Sequence, residues 1–539
     1  MRWHKGLPAV AAAGSLALAA AACGGGQVRG AQGTPQAGTG STAGTPNATF
    51  VYVPNLDVVT DWDPASSYSN EIIAMENIYE SLTRYDPQAK KAEPRLATSW
   101  KSSADGRTWT FTLRSGAKFH TGKPVDAAAV KASVERTKKE GGGAAYIWDA
   151  VESVKAENPA TVVFTLKYAA PLDLIASSDY GSYVYDTTAA SDLKKWFGEG
   201  HDAGSGPYTI DNWQKGRETE LTLKAFDGYW GGWSGSHYKR IEYRVTPETT
   251  TAWQLLQRGE VSFVQRLNPQ LFAQAQSQGA QTSQTPSFQN LLALFNTASG
   301  PLKDVRLRKA VQKAIDYDGL VAAIKGSGVK ASGLVPEGLL GHVAGREPAQ
   351  DLSGAQALLK EAGYGPGGKE LTLTMTYAQG DGDQQLFATL LGSALSKLNV
   401  RLDAKPLQWN TQWDQGKSPD PAKRQDIFVM YWYPDYADAY SWFLNVFRSS
   451  DKPSFNLSYL KDAGVDAEID KLPALTATDR AAAEKAYADL QTKIIDDQAA
   501  VAVLFTQNYQ RAFAKGVQDY TDNPAYPNVV FVYDLKPGA

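Results

Sequence analysis

Few residue patterns in this sequence have the spacing that catalysis needs. Ser449 with Lys452, and Ser458 with Lys461, match the SxxK of serine acyl-enzymes, but neither the KTG nor the SDN that completes that chemistry follows. Gly363, Gly365 and Gly368 satisfy GxGxxG, yet a helical pattern (355–362) precedes them and a strand pattern (371–377) follows. A dinucleotide loop needs the reverse order, because the pyrophosphate sits on the N-terminus of the helix after the loop. Gly363 is therefore expected to end a helix. The stretch from Gly116 to Lys123 is one residue too long for a phosphate loop and has Pro124 in place of the magnesium-binding hydroxyl. No GxSxG or HExxH occurs, and the 5 histidines (His4, His120, His201, His237, His342) are scattered without metal-ligand spacing. These observations exclude the familiar catalytic and metal motifs. They leave a catalytic triad assembled from distant residues as the one enzymatic arrangement not visible in sequence.

The remaining chemistry is that of binding and anchoring. Aromatic residues crowd one region: Trp409, Trp413, Tyr431, Trp432, Tyr433, Tyr436, Tyr440, Trp442 and Phe443. Some must be buried strand faces, since alternate residues of a strand over 427–433 have to pack. Those near the strand's end suit a cleft lining, where a rigid ring offers apolar area and a hydrogen-bonding tip. Asp435 follows that strand, and a carboxylate in a closed cleft attracts a cation because screening there is weak. In the same PDYAD segment either Asp435 or Asp438 could instead be a turn-forming aspartate.

The only cysteine, Cys23, marks the end of a leader. Arg2 and Lys5 form a basic start, and Leu7 to Ala22 is an Ala-rich apolar run too short for a convincing membrane span, so residues 1–22 read as a signal peptide. A cysteine at that boundary resembles a bacterial lipobox, with Ala20 where such motifs usually carry Leu, and Cys23 is the expected lipidation site. With a single cysteine no disulfide can form within the chain. Residues 23–48 are rich in Gly, Ala, Thr, Gln, Ser and Pro and read as a flexible tether, spanning roughly 25–30 Å as a coil. The net charge of -3 gives no electrostatic reason to expect nucleic acid.

From Phe50 onward strand and helix signals mix, as in an α/β fold. Trp109, Phe111 and Leu113 alternate with threonines, and Val162, Phe164 and Leu166 alternate likewise. Asp126 is placed as the N-cap of an Ala-rich helix, and Asp304 as the N-cap of a helix whose Leu307, Ala310, Val311, Ala314 and Ile315 share a face. That periodicity leaves Arg306, Arg308 and Lys313 for solvent. Asp479 begins another helix, with Ala483, Tyr487, Leu490 and Ile494 on one face and Lys485 paired to Asp489.

Several blocks, taken in order, resemble the extracellular family of oligopeptide and nickel-type solute-binding proteins of ABC importers. They are ENIYESLTRYD (76–86), PRLATSWKSSADGRTWTFTLRSGAKFHTGKPVDAAAV (94–130), GSGPYTI (204–210), DGYWGG (227–232), LLQRGEVSFV (255–264), NTASGPLKDVRLRKAVQKAID (296–316), AQALLKEAGY (355–364) and YWYPDYADAYSWF (431–443). The resemblance implies a two-lobed periplasmic-binding-protein clamshell of type II with an extra small domain in the first lobe. Lobe I would take 49–84, 203–289 and 507–539, the extra domain 85–202 and the second lobe 290–506. His120, within KFHTGKP, falls in a block that looks structural.

The resemblance also implies a binding function and not an enzyme, and no cofactor is expected. No metal is expected either, because nickel binding usually shows a histidine near the cleft and none of the 5 lies between Trp409 and Phe443. Asp435 would anchor a ligand's α-ammonium, and Trp432, Tyr433 and Trp409 would line the cleft. Main-chain pairing with an extended peptide would come from around Tyr433 and from Ser67, Tyr68 and Ser69. The chain departs from the family's pattern at Ala439, where a proline is usual, and in a loop at 415–425 that looks inserted. The strand also carries no obvious basic residue to hold a peptide carboxylate. The expected partners are an oligopeptide or other small solute, permease subunits, and the membrane through a lipid anchor on the extracytoplasmic face. The chain is expected to act as a monomer. The same family also includes binders of sugars, opines and nickel chelates, and a ligand-presenting sensor or an extracellular hydrolase are the competing roles.

Overall fold

The computed structural model describes residues 48–55, 58, 61–214 and 220–538. The expected signal peptide, Cys23 and nearly all of the tether lie outside the described residues. Among the described residues, no helix is long and apolar enough to cross a membrane.

One sheet of 11 strands runs through the molecule. At one end Leu371–Ala378 lies parallel to both Val400–Leu407 and Ile427–Trp432. The helix Gly382–Ser396 makes the crossover between the first two, as a parallel pair requires. Ile427–Phe428–Val429–Met430 is fully buried, which suits a strand covered on both faces. At the other end Thr49–Val53 pairs parallel with Arg240–Arg244 and with Phe263–Val264, and Glu220–Ala225 and Tyr208–Asn212 complete the edge.

Two long antiparallel strands, Gln281–Phe295 and Val501–Phe513, join these ends. Their register holds from Gln281↔Phe513 to Pro286↔Asn508, breaks, and resumes at Asn290↔Thr506. Pro286 has no N–H to give the ladder, so an interruption there is expected. Side chains take over the pairing. Ser287 Oγ donates to the Gln507 carbonyl at 2.7 Å, and the fully buried Asn290 bonds both Thr506 Oγ1 and the Leu334 carbonyl at 2.8 Å.

A separate four-stranded antiparallel sheet, ordered Ala97–Ser102, Thr108–Leu113, Thr161–Leu166, Val151–Asn158, forms the small domain. Trp109, Phe111, Leu113, Val162, Phe164 and Leu166 are all buried, as the alternation requires. The helix Ala127–Glu140 packs on this sheet, with Asp126 accepting from the Ala129 N–H at 2.9 Å. The caps at Asp304 and Asp479 form in the same way. Gly363 follows Ala362, the C-cap of the helix Leu352–Glu361, at φ 87°, a conformation that favours glycine.

The expectation for Arg308 is corrected. On the helix Val305–Ala314 it is 4% exposed, and its guanidinium donates to the carbonyls of Leu302, Lys303 and Gln498. Loop carbonyls with no secondary-structure partner draw it out of solvent.

His120 is a structural residue. Its Nδ1 bonds Asp202, its Nε2 lies 3.0 Å from the Gly206 carbonyl, and its own N–H donates to the Gly204 carbonyl at 2.7 Å. Gly204 is tightly held, since a Cβ there would stand 2.1 Å from the Ile78 carbonyl oxygen. Burial opposes both charges of the pair. The mutual attraction and hydrogen bonds outweigh it, holding His120 above and Asp202 below their ordinary pKa values. A raised histidine stabilises below its unfolded pKa and loses that contribution as pH rises through its folded value. A lowered aspartate stabilises above its unfolded pKa and loses it as pH falls. The pair should therefore contribute most between about pH 4 and about pH 6.5. Urea unfolding of the parent and His120→Gln across pH should show the largest stability difference in that window and a smaller one above it. A difference that stays flat from pH 4 to 9 would contradict this role.

Candidate functional site

Asp435 lies just beyond the buried strand Ile427–Trp432 and is 2% exposed. Its carboxylate is reached by two hydroxyls from remote parts of the chain: Tyr68 donates to Oδ1 at 3.0 Å and Tyr146 to Oδ2. Asn445 Nδ2 donates in turn to the Tyr146 oxygen at 3.0 Å. The main-chain oxygen of Asp435 accepts from Ser178 Oγ. Tyr180 donates to the Ser69 carbonyl at 3.0 Å and shares a 2.8 Å hydrogen bond with the Tyr433 hydroxyl, while its ring meets that of Tyr68 edge-on at 4.9 Å.

Burial raises the Asp435 carboxyl to about 6, and the hydrogen bonds from Tyr146 and Tyr68 pull against that rise. The same burial, with the charge of Asp435 beside them, pushes the Tyr68 and Tyr146 hydroxyls well above the usual phenol range. Asp438 has a different environment. It accepts from Tyr487 Oη at 2.6 Å and from the Tyr440 N–H at 2.8 Å, which ties together its own part of the chain.

Of the residues expected to bind ligand, Asp435, Tyr433, Tyr68 and Ser69 are brought together by these bonds. Ser67 is buried beside them in sequence, its N–H bonded to the Asp63 carbonyl at 2.8 Å and its hydroxyl without a partner among the described residues. Trp432 packs instead on Phe455, ring centroids 5.1 Å apart, and Trp409 is 52% exposed, with its ring edge-on to Trp413. Among the described residues, no hydrogen bond or ring pair joins either tryptophan to the Asp435 cluster.

Sequence reasoning missed Tyr146, Asn445 and the segment 177–183. The last contains Asp179, 1% exposed, whose two carboxylate oxygens have no hydrogen-bond partner among the described residues. Burial first, then the charges of Asp435 and Glu76, raise its carboxyl well above the usual range. The only available signal was an unusual local composition, SSDYGSY, with no periodicity to place it.

Two further features involve charged groups. Arg266, next to the strand Phe263–Val264, pairs with Asp383 at 3.1 Å, and Tyr431 donates to the same carboxylate at 3.3 Å. A pocket is lined by Glu76, the acid that also bears on Asp179, and by Glu80, Arg84, Arg95, Tyr229 and Asp534; Glu80 accepts from Tyr229 Oη and Trp230 Nε1.

Two wings of one sheet joined by two long strands, a small antiparallel domain, and a buried acid ringed by hydroxyls from remote segments define a two-lobed solute-binding clamshell. The sequence profile of the bacterial extracellular solute-binding proteins, family 5 Middle, matches residues 91–454. The chain belongs to that family.

Among relatives, the probable D,D-dipeptide-binding periplasmic protein DdpA of Escherichia coli (strain K12) is 32% identical over 483 residues, covering 87% of this chain and 90% of that protein. The dipeptide-binding protein of the same organism is 25% identical over 477 residues, covering 83% and 87%. Among solved structures, NikA from Brucella suis in complex with Fe(III)-EDTA aligns with TM-score 0.79 at 22% identity, over 91% of this chain and 100% of that one. DppA from Helicobacter pylori in complex with the peptide STSA aligns with TM-score 0.77 at 21% identity, over 92% and 98%. These structural likenesses bear on the fold alone.

The hydroxyls around Asp435 generate a prediction. A hydrogen bond to the charged form favours that form, so Tyr146→Phe should move the Asp435 carboxyl upward by about one pH unit. Carboxyl-carbon NMR titration of parent and variant measures it, and an unchanged or lower value would contradict the geometry.

Proposed function

We propose that the protein captures oligopeptides, or a similar solute with a free amine, by closing its two lobes over them, and delivers them to an ABC transporter permease. The observation that carries this reading is Asp435: a buried carboxylate bonded only through neutral hydroxyls and lacking an ion pair among the described residues. A ligand ammonium is the group that would complete it. The relatives named for dipeptide binding support the same substrate class. A neutral sugar would also use the aromatic rings, but would give Asp435 no cation to pair with.

We assign lobe I to 49–84, 203–289 and 507–539, the small domain to 85–202 and lobe II to 290–506. The register break at Pro286/Asn290 supports placing the hinge between the lobes there. On this assignment Tyr68 from lobe I and Tyr146 from the small domain meet Asp435 from lobe II, and Tyr68, Ser69 and Tyr433 face the ligand. We assign Trp409 and Trp432 at most a peripheral role, and Ser67 a main-chain one. Cys23 would carry the lipid anchor, holding a monomeric binding protein on the extracytoplasmic face of the membrane.

Calorimetry with a free-amine peptide library and its N-acetylated copy should show that the parent prefers free amines. Asp435→Asn should lose about 2–5 kcal/mol toward them, because it leaves the ligand's charge buried and unpaired. The parent's affinity should also fall as pH drops through about 6, where a proton competes with the ligand for the carboxylate. Equal binding of free and acetylated peptides, or tight binding of oligosaccharide alone, would remove the assignment. For the anchor, Cys23→Ala should release the mature chain or leave unprocessed precursor, since the acyl chains supply the membrane affinity. A variant that remains as acylated and membrane-bound as the parent would refute it.

A further inference from the structure

Asp179 is held in place by its surroundings while its own side chain is left without a bond. Tyr183 Oη donates to the Asp179 carbonyl at 2.7 Å, and Ser182 Oγ donates to the Ser178 carbonyl at 2.6 Å, which fixes the backbone of the segment. Both flanking residues touch the ligand site: Ser178 bonds the main chain of Asp435, and Tyr180 bonds Ser69 and Tyr433. Asp179 is therefore beside Asp435 in space, fully enclosed, with both carboxylate oxygens unpartnered among the described residues.

A carboxylate taken out of water without a partner is costly, and natural interiors keep one only where something else completes it. Here the nearby charges cannot serve. The acidic side chains that bear on Asp179 are Asp435 and Glu76, the tyrosines that feel its charge (Tyr180, Tyr183, Tyr433, Tyr509 and Tyr526 among them) are neutral, and neither Asp179 nor Asp435 forms an ion pair among the described residues. Tyr68 and Tyr146 bring hydroxyl dipoles to Asp435, but no positive charge, and they do not bond Asp179. A single ammonium on Asp435 would leave Asp179 protonated, with its buried polar atoms still unpaired.

Building on the amine-capture reading above, we propose that Asp179 is a second ligand-binding carboxylate, and that the site takes solutes with two cationic groups at the amino end. The α-ammonium would pair with Asp435 and a basic side chain of the first residue with Asp179. Ser178 bonds the main chain of Asp435, which places the two acids on adjoining segments, and a series of diamino residues of increasing length tests the span between their carboxylates. The second cation would replace the proton that burial favours on Asp179 in the empty cleft, and that proton would leave to solvent.

The test is calorimetry of the full mature chain with four X-Ala-Ala tripeptides, where X is 2,4-diaminobutyrate, ornithine, lysine or the uncharged norleucine. At least one diamino peptide should bind about tenfold or more tighter than the norleucine peptide. Asp179→Asn should narrow that ratio to about threefold or less, whereas Asp435→Asn should weaken all four peptides. If no diamino peptide exceeds norleucine while Asp435→Asn still weakens all four, the Asp179 proposal is overturned and the amine-capture reading stands. If Asp435→Asn changes nothing, or none of the four binds, the amine-capture reading falls and takes this proposal with it. The comparison among peptides on the parent decides the matter even if Asp179→Asn fails to fold.

Discussion

A carboxylate shut away from water is tolerable only if its partners come to it, and those of Asp435 come from far along the chain. Tyr68 is 367 residues away, Tyr146 is 289 and Ser178 is 257. Each belongs to a segment that is folded by other forces: Tyr146 rides on the turn after a capped helix of the small domain, and Ser178 on a loop fixed by its own side-chain bonds. On the proposed lobe assignment the site is therefore a product of closure. With the lobes apart, Asp435 would regain water and an ordinary carboxylate pKa. Bringing them together exchanges that hydration for hydroxyls and leaves the charge uncompensated, so under the proposed function a cationic ligand would stabilise the closed arrangement more than the open one.

Closure in turn needs a place to bend without breaking the core. In the proposed lobe assignment, the two strands that cross from one wing of the sheet to the other would carry that requirement. A continuous ladder would be stiff, and the break between Pro286 and Asn290 relieves it at the cost of unmade backbone bonds. Ser287, Asn290 and Thr506 restore much of that bonding through short side chains that accept or donate across the gap. Beyond the break the strands re-enter fully buried runs, Leu291 to Phe295 and Val501 to Phe505, whose apolar packing holds the second wing rigid.

Local patterns in the sequence located most of the elements, because burial of alternate or helically spaced residues is decided locally. The strands at 108–113 and 161–166, and the helices capped by Asp126, Asp304 and Asp479, follow from side chains within a few positions of one another. Arg308 was misplaced because the helix face it shares is polar by pattern, while the carbonyls that claim it lie partly on a loop 190 residues away. The same limit governs the site. Asp435 stood out through the aromatic strand before it, but nothing in PDYAD separates it from Asp438. Only Tyr487, on a later helix, shows Asp438 to be tied down within its own surroundings. Asp179 and Tyr146 lie in loops or short turns, where no periodicity marks the buried side.

The hydroxyls around Asp435 do more than fill space. An ionised carboxylate offers about four acceptor positions, and the two tyrosines occupy only part of them, which leaves acceptor capacity for the ammonium of the proposed ligand. The donated bonds also favour the ionised form, which keeps the Asp435 pKa near 6 despite full burial. Asp179 receives no such bonds and its carboxyl is driven much higher. Two aspartates in one enclosed space are thereby given different states by their neighbours alone. In the proposed site one would hold a charge ready for the first cation, and the other would ionise only when a second cation is brought beside it.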